Sequence, residues 1–150
     1  MRFNPSKLNL YMFFKLPAAF WCGVRAVAVT ETVCKSSVRY KWFNQNPFGS
    51  VYFAVLAMAA EFTTGVLVMQ EIKKSNKNIS MLVLNLSANF SKKAKGKILF
   101  SCVDGQLIKD VVKKAIESNE GQTIWLSSIG IDEKNDQVAL FKFEWSIKVK

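Results

Sequence analysis

Histidine is absent from this chain. That absence removes a Ser-His-Asp triad, a Cys-His pair and any zinc site built on imidazole. Any hydrolysis must therefore rest on carboxylates, backbone dipoles or a lysine. Cysteine is scarce: Cys22, Cys34 and Cys102 are an odd number without CxxC spacing. Such a set argues against a disulfide framework and predicts a reduced, cytoplasmic protein in which each thiol is a small buried hydrophobe. Zinc-finger spacing and RNP-type aromatic motifs are also missing. Nucleic acid is thus a minor option, although the net charge is +10 and the densest basic run is Lys92-Lys93-Ala94-Lys95.

What is present bounds the fold. The 150 residues, half of them hydrophobic, suit one domain with a large core or a subunit interface. The positive charge admits nucleic acid, an anionic membrane or an anionic small ligand as partner classes. Arg2, Lys7 and the stretch Leu8 to Cys22 resemble a signal peptide only superficially. Lys15 and Pro17 interrupt the apolar stretch, and Ala19-Phe20-Trp21 is too bulky for a cleavage site. Residues 47–69 approach bilayer length, but Glu61 lies near the middle, with Gly49, Ser50, Thr63 and Thr64 in the same run. The expectation is a helix buried in protein, with no membrane span.

Along the chain, Asn4-Pro5-Ser6 precedes a short helix over Lys7–Phe14. Val24–Thr32 and Val33–Trp42 alternate as two strands around a tight turn near Glu31–Lys35, with Val24, Ala26, Ala28 and Thr30 on one side. Asn44–Gly49 is a turn by composition, and Ser50 is placed to cap a helix reaching about Lys74. That helix is apolar on nearly every face, so it must be wrapped. Ile79–Phe90 follows, with Met81, Val83, Asn85, Ser87 and Asn89 alternating against Leu82, Leu84, Leu86, Ala88 and Phe90. Lys95–Val103 predicts a strand, Asp104-Gly105 a turn, and Gln106–Ser118 an amphipathic helix with a solvated Lys109/Lys113/Lys114 face. Gln122–Asp132 and Val138–Val149 predict two last strands around Glu133–Asp136. The order predicts an α+β fold, an antiparallel sheet curling around one apolar helix.

Within the apolar run 47–69 Glu61 is the single carboxylate. Unpaired and buried, it would cost roughly several kcal/mol, a sum comparable with the stability of a small domain. A binding or catalytic pocket is one resolution, and a paired carboxylate at an interface is the other.

The segment Asn46-Pro-Phe-Gly-Ser-Val-Tyr-Phe-Ala54, followed by Glu61, resembles the hotdog fold of acyl-CoA thioesterases. That superfamily often shows Asn-x-x-Gly-Thr-Val-His-Gly-Gly and a helical Asp or Glu eight residues after the first glycine of the closing pair. Asn46, Gly49, Ser50, Val51 and Glu61 fall in register, and Phe90-Ser-Lys-Lys-Ala-Lys-Gly96 is similar to the run before the next strand. The resemblance covers residues 23–104 and 121–149. The helix near 105–119 is similar to an insertion in an uncharacterised branch. The closing triplet departs from the pattern, since Tyr52-Phe53-Ala54 replaces His-Gly-Gly.

The resemblance implies hydrolysis of an acyl thioester, with coenzyme A as part of the substrate and no separate cofactor or metal. Glu61 would be general base or nucleophile, the Phe53 N–H an oxyanion donor at the helix start, and Asn46 the group orienting water or thioester. Gly49, Ser50, Tyr52 and Ala54 would line the substrate, and Lys92, Lys93 and Lys95 would meet the phosphates of coenzyme A. Each has a plainer alternative: Asn46 a turn residue, Tyr52 a core aromatic, the lysines a solvated loop. Phe53 and Glu61 stand about 12 Å apart along one helix, so one carbonyl cannot touch both. Acting together, they require a second copy lying antiparallel alongside, which predicts a homodimer with two composite sites, with pairing of dimers into a tetramer left open. The competing reading is a non-catalytic acyl-CoA or acyl-chain binding protein on the same fold.

Overall fold

The computed structural model describes residues 3–150. Two short helices come first, α1 (Pro5–Lys15) and α2 (Pro17–Trp21). Asn4 caps α1, its side-chain Oδ1 accepting the Lys7 N–H at 2.9 Å, and Pro5 occupies the first turn. Pro17 ends α1 and starts α2: it cannot donate to the α1 ladder, and it holds Leu16 in a non-helical conformation at φ −131°. In the sequence Pro17 marks only an interruption, and five residues are too few for a periodic pattern to announce α2.

Six strands follow, β1 (Arg25–Val29), β2 (Cys34–Arg39), β3 (Ile79–Phe90), β4 (Lys97–Cys102), β5 (Gln122–Ile131) and β6 (Gln137–Val149). They form one sheet in the order β1-β2-β4-β5-β6-β3, antiparallel at every step. Helix α3 (Phe53–Ser75) lies in its concave face, and α4 (Gly105–Ser118) covers one end. The expected antiparallel sheet wrapped around a long apolar helix is therefore the observed architecture. By length and composition α3 could cross a membrane, but 67 % of its most apolar window is buried within the protein. Twelve of its 23 residues are buried, among them Leu56, Ala59, Ala60, Val66 and Val68. The small residues at 59, 60 and 65 let the sheet approach closely. Buried hydroxyls tie this helix to the sheet: Thr63 shares a 2.8 Å bond with Ser128 of β5, and Ser36 of β2 donates to the Ala59 carbonyl at 2.6 Å.

Four local expectations need correction. Ser50 does not cap α3. The cap position is Tyr52, without a side-chain bond, and the Ser50 hydroxyl faces the Asn46 side chain at 3.0 Å. The first hairpin is shorter than the alternation suggested. A bulge between Ala26 and Ala28 breaks the supposed face, and Trp42 leaves β2 for a 3-10 turn over Trp42–Asn44. Buried Asn44 drives that exit, donating to the Cys22 and Arg39 carbonyls at 2.9 Å and accepting from the Lys41 N–H.

The third correction bears on function. A register shift between Val83 and Asn85 inserts Leu84 as an extra residue, which exchanges the two faces of β3. Met81 pairs with Ile147 and Val83 with Trp145, both core residues. Beyond the bulge Leu86, Ala88 and Phe90, opposite Phe143, Phe141 and Ala139, take over that concave side. They are not covered: Leu86 is 56 % exposed and Phe90 46 %.

Gly105, expected in a turn, is the first residue of α4 and packs on backbone. A Cβ there would lie 2.2 Å from the Thr32 Cα, and the Gly105 N–H donates to the Thr32 carbonyl at 3.1 Å. Gly105→Ala therefore lowers stability by about 1–3 kcal/mol, read as a lower urea midpoint at unchanged m-value.

Candidate functional site

The site begins at the turn before α3. The Asn46 Oδ1 accepts the Phe48 N–H at 2.9 Å and the Ser50 N–H at 3.3 Å, folding the chain back on itself. Gly49 takes φ +72°, a conformation an L side chain resists. An isolated bridge pairs Gln45 with Val51, and the Tyr52 N–H reaches the Asn44 carbonyl at 2.9 Å. The chain then enters α3 with the Phe53 and Ala54 N–H groups donating to nothing among the described residues. Tyr52 and Phe53 are about half exposed, their rings in edge contact at 5.0 Å. Asn46, Val51, Phe53, Leu56, Phe90, Lys92 and Lys93 line an open cavity of about 390 Å³. Asn46 is thus at the site, with its amide engaged in the turn.

The three lysines differ. Lys92 is held by Asp132 and Asp136, each at 2.6 Å, and the Asp132 contact foremost raises its pKa. It acts here as the clamp on the β5–β6 turn. Lys93 donates to the Phe48 carbonyl at 3.3 Å and lines the cavity. Lys95 is exposed and outside the cavity lining.

Glu61 lies two turns along α3, at a different pocket. A cavity of about 300 Å³ brings it together with Lys15, Leu16, Pro17, Ala19, Met58 and Phe62. An adjoining space of about 200 Å³ adds Tyr11, Gly65, Val66, Met69 and Met81. The α1–α2 corner supplies one wall, which the sequence reading did not foresee. Burial alone lifts the Glu61 pKa from 4.5 to about 6. Lys15 lines the same cavity, yet no ion pair or hydrogen bond engages the Glu61 carboxylate among the described residues. Pairing with a basic side chain of its own chain is therefore not what holds it. Gly65, one turn on, keeps the space open: a Cβ there would meet Glu61 Oε1 at 3.0 Å and the Trp145 ring at 3.3 Å. Trp145 is in turn fixed by its indole N–H to Thr64 Oγ1 at 3.1 Å.

The thiols stand apart from this chemistry. Cys34 and Cys102 face each other across β2 and β4, fully buried, and desolvation pushes each pKa up to about 12. Cys22 is partly exposed. A thiol-reactive chromogen should therefore modify Cys22 alone in the native protein and all three residues in denaturant.

Comparison with known proteins agrees with the architecture. No curated protein matches this sequence. A protein of unknown function from Pseudomonas aeruginosa, PA5026, described as "Probable Thioesterase", is similar at TM-score 0.82 and 21 % identity, with 97 % of each chain covered. The Haemophilus influenzae thioesterase HI1161 is similar at TM-score 0.73 and 14 % identity, covering 99 % of this chain and 93 % of its own. PaaI of Escherichia coli, from the phenylacetic acid degradation operon, is similar at 0.65 and 13 %, covering 94 % and 91 %. These likenesses show the hotdog fold. The family model described as "Domain of unknown function (DUF4442)" matches residues 7–147, nearly the whole chain. The chain is thus a DUF4442-family member built on the hotdog fold of the thioesterases.

Proposed function

We propose that the protein is a homodimeric hydrolase of acyl thioesters in a reducing, cytoplasmic setting. The observation that carries this reading is Glu61, an unpaired carboxylate with raised pKa at the edge of an apolar cavity. Glu61 takes a proton from water, and the resulting hydroxide attacks the thioester carbonyl. The negative charge passes to the carbonyl oxygen, which the Phe53 N–H of the partner subunit holds at the start of its α3. The tetrahedral intermediate collapses, the carbon–sulfur bond breaks, and the proton on Glu61 passes to the leaving thiolate. Met58, Met69, Met81, Leu16 and Phe62 suit a flexible aliphatic acyl group. Gly49, Ser50, Tyr52 and Ala54 shape the turn and helix start, and Lys93, which lines the cavity, supplies a cation for the coenzyme A phosphates.

The dimer is supported by β3. It is a 12-residue edge strand carrying an uncovered apolar row at Leu86, Ala88 and Phe90. Such an edge invites pairing with another strand, and the row faces the side where a partner's α3 would lie. Three free cysteines support the reducing compartment. Steady-state assay with saturated acyl-CoAs of graded length tests the proposal. Turnover with a preference for aliphatic chains is the expected result. Saturable binding without release of thiol would assign the protein to acyl-CoA binding instead.

A further inference from the structure

Charge and aromatic content are unevenly distributed along this chain. Residues 1–60 contain one acidic residue, Glu31, against seven basic ones, and they hold twelve of the nineteen aromatic side chains. Glu31 is engaged by Lys74 at 3.5 Å and Lys109 at 3.4 Å, beyond the C-terminal end of β1.

The fold gathers many of these aromatics at one corner. The Phe13 ring meets those of Phe14 at 4.9 Å, Phe20 at 5.1 Å and Trp21 at 6.3 Å, joining the end of α1 to α2. The Arg25 guanidinium lies 3.8 Å over the Phe20 ring and donates to the Phe20 carbonyl at 2.7 Å. The Asn44 bond to the Cys22 carbonyl seats the 3-10 turn, with Trp42 and Phe43, beside α2. These rings face solvent: Phe14 is 67 % exposed, Trp21 63 %, Trp42 82 % and Phe43 63 %. Lys15 follows Phe14 and Lys41 precedes Trp42. A lone exposed Trp calls for no explanation, whereas a contiguous apolar patch marks a binding surface.

We propose that this corner docks the protein on an anionic lipid surface. The rings of Phe14, Trp21, Trp42 and Phe43 enter the headgroup region, while Lys15 and Lys41 meet acidic headgroups and Arg25 braces the Phe20 ring. Trp and Phe on a basic ground, with Glu61 set back in the cavity that Lys15 lines, is the composition that favours a charged membrane interface. The same charge opposes a second copy as occupant, since two such corners face to face would set cation against cation. The docking does not depend on the proposed hydrolysis, and its test reads no activity.

Co-sedimentation with phosphatidylcholine vesicles, with and without phosphatidylglycerol, tests it. Wild type should bind the vesicles containing phosphatidylglycerol, with a blue shift in Trp fluorescence, and leave pure phosphatidylcholine vesicles unbound. Phe14→Ser/Trp21→Ser and Trp42→Ser/Phe43→Ser leave the Phe13–Phe20 contact between α1 and α2 in place, so far-ultraviolet circular dichroism should be unchanged while vesicle affinity falls about tenfold for each pair. Failure to bind the anionic vesicles, equal binding to both kinds, or undiminished binding of both variants would overturn the proposal. A change of oligomeric state in either variant would do so too, by assigning the corner to contact between copies.

Discussion

Glu61→Gln should lose thioester hydrolysis while making the fold more stable. The loss expected for removing a general base is about 10²–10⁴-fold in kcat. The stability change follows from the raised pKa. Glu61 binds its proton more tightly in the folded chain than in the unfolded one, at about 6 against 4.5. Its contribution to stability is therefore complete below the unfolded value and lost as pH rises through the folded one. Above that window the fold carries a desolvated carboxylate, at a cost of about 2 kcal/mol. Glutamine has the shape of the protonated acid and no charge to desolvate. The variant should therefore match wild type in urea unfolding near pH 4 and exceed it by about 2 kcal/mol at pH 8. In wild type, kcat/KM should rise with pH to a plateau, with its midpoint near 6. Equal turnover by Glu61→Gln and wild type would remove Glu61 from the mechanism. Lost activity with gained stability distinguishes a removed base from a damaged fold.

Phe53→Pro is the second decisive substitution. Proline at the first position of a helix is tolerated, because that N–H has no intrahelical partner. Tyr52, at φ −61° and ψ 135°, already has the extended conformation that precedes proline. The substitution thus deletes the proposed oxyanion donor with little disturbance of α3. A loss of about 10²–10³-fold in kcat is expected. The composite-site geometry then makes a sharper demand. Glu61→Gln subunits keep a sound helix start, and Phe53→Pro subunits keep a sound carboxylate. In a mixed dimer one of the two sites therefore combines both working halves. Unfolding the two variants together and refolding them should restore about a quarter of wild-type activity, given random pairing into two-fold dimers. No recovery from demonstrably mixed dimers would place both groups in a single-chain site, or outside the chemistry altogether.

Legibility in the sequence depended on how local each feature is. The predominantly apolar character of residues 53–69 required a wrapped helix, and the strands around it supplied the wrapping. Glu133–Asp136 separates β5 from β6 where its turn chemistry said it would. Glu61 stood out because a charge in such a helix has few explanations. The Ser50 cap failed for an equally local reason. Two hydrogen-bonding residues, Asn46 and Ser50, satisfy each other in the turn, so the hydroxyl is spent before the helix begins. The engagement of Lys92 was invisible for the opposite reason: Asp132 lies forty residues away, and with Asp136 it sits on a turn that the chain brings back beside the lysine.

The sequence by itself determined the helix that must be buried, the carboxylate set within it and the absence of imidazole chemistry. These follow from side-chain type and periodicity, which are written along the chain. Only the tertiary structure decided which walls enclose Glu61. Tyr11, Leu16 and Pro17 reach it because α1 packs on β1 and α2 on α3, contacts that leave no periodic trace. Only the structure, likewise, decided which face of β3 is free. One extra residue at Leu84 reverses the alternation, and whether a strand takes up that residue depends on its pairing with β6, nearly sixty positions away.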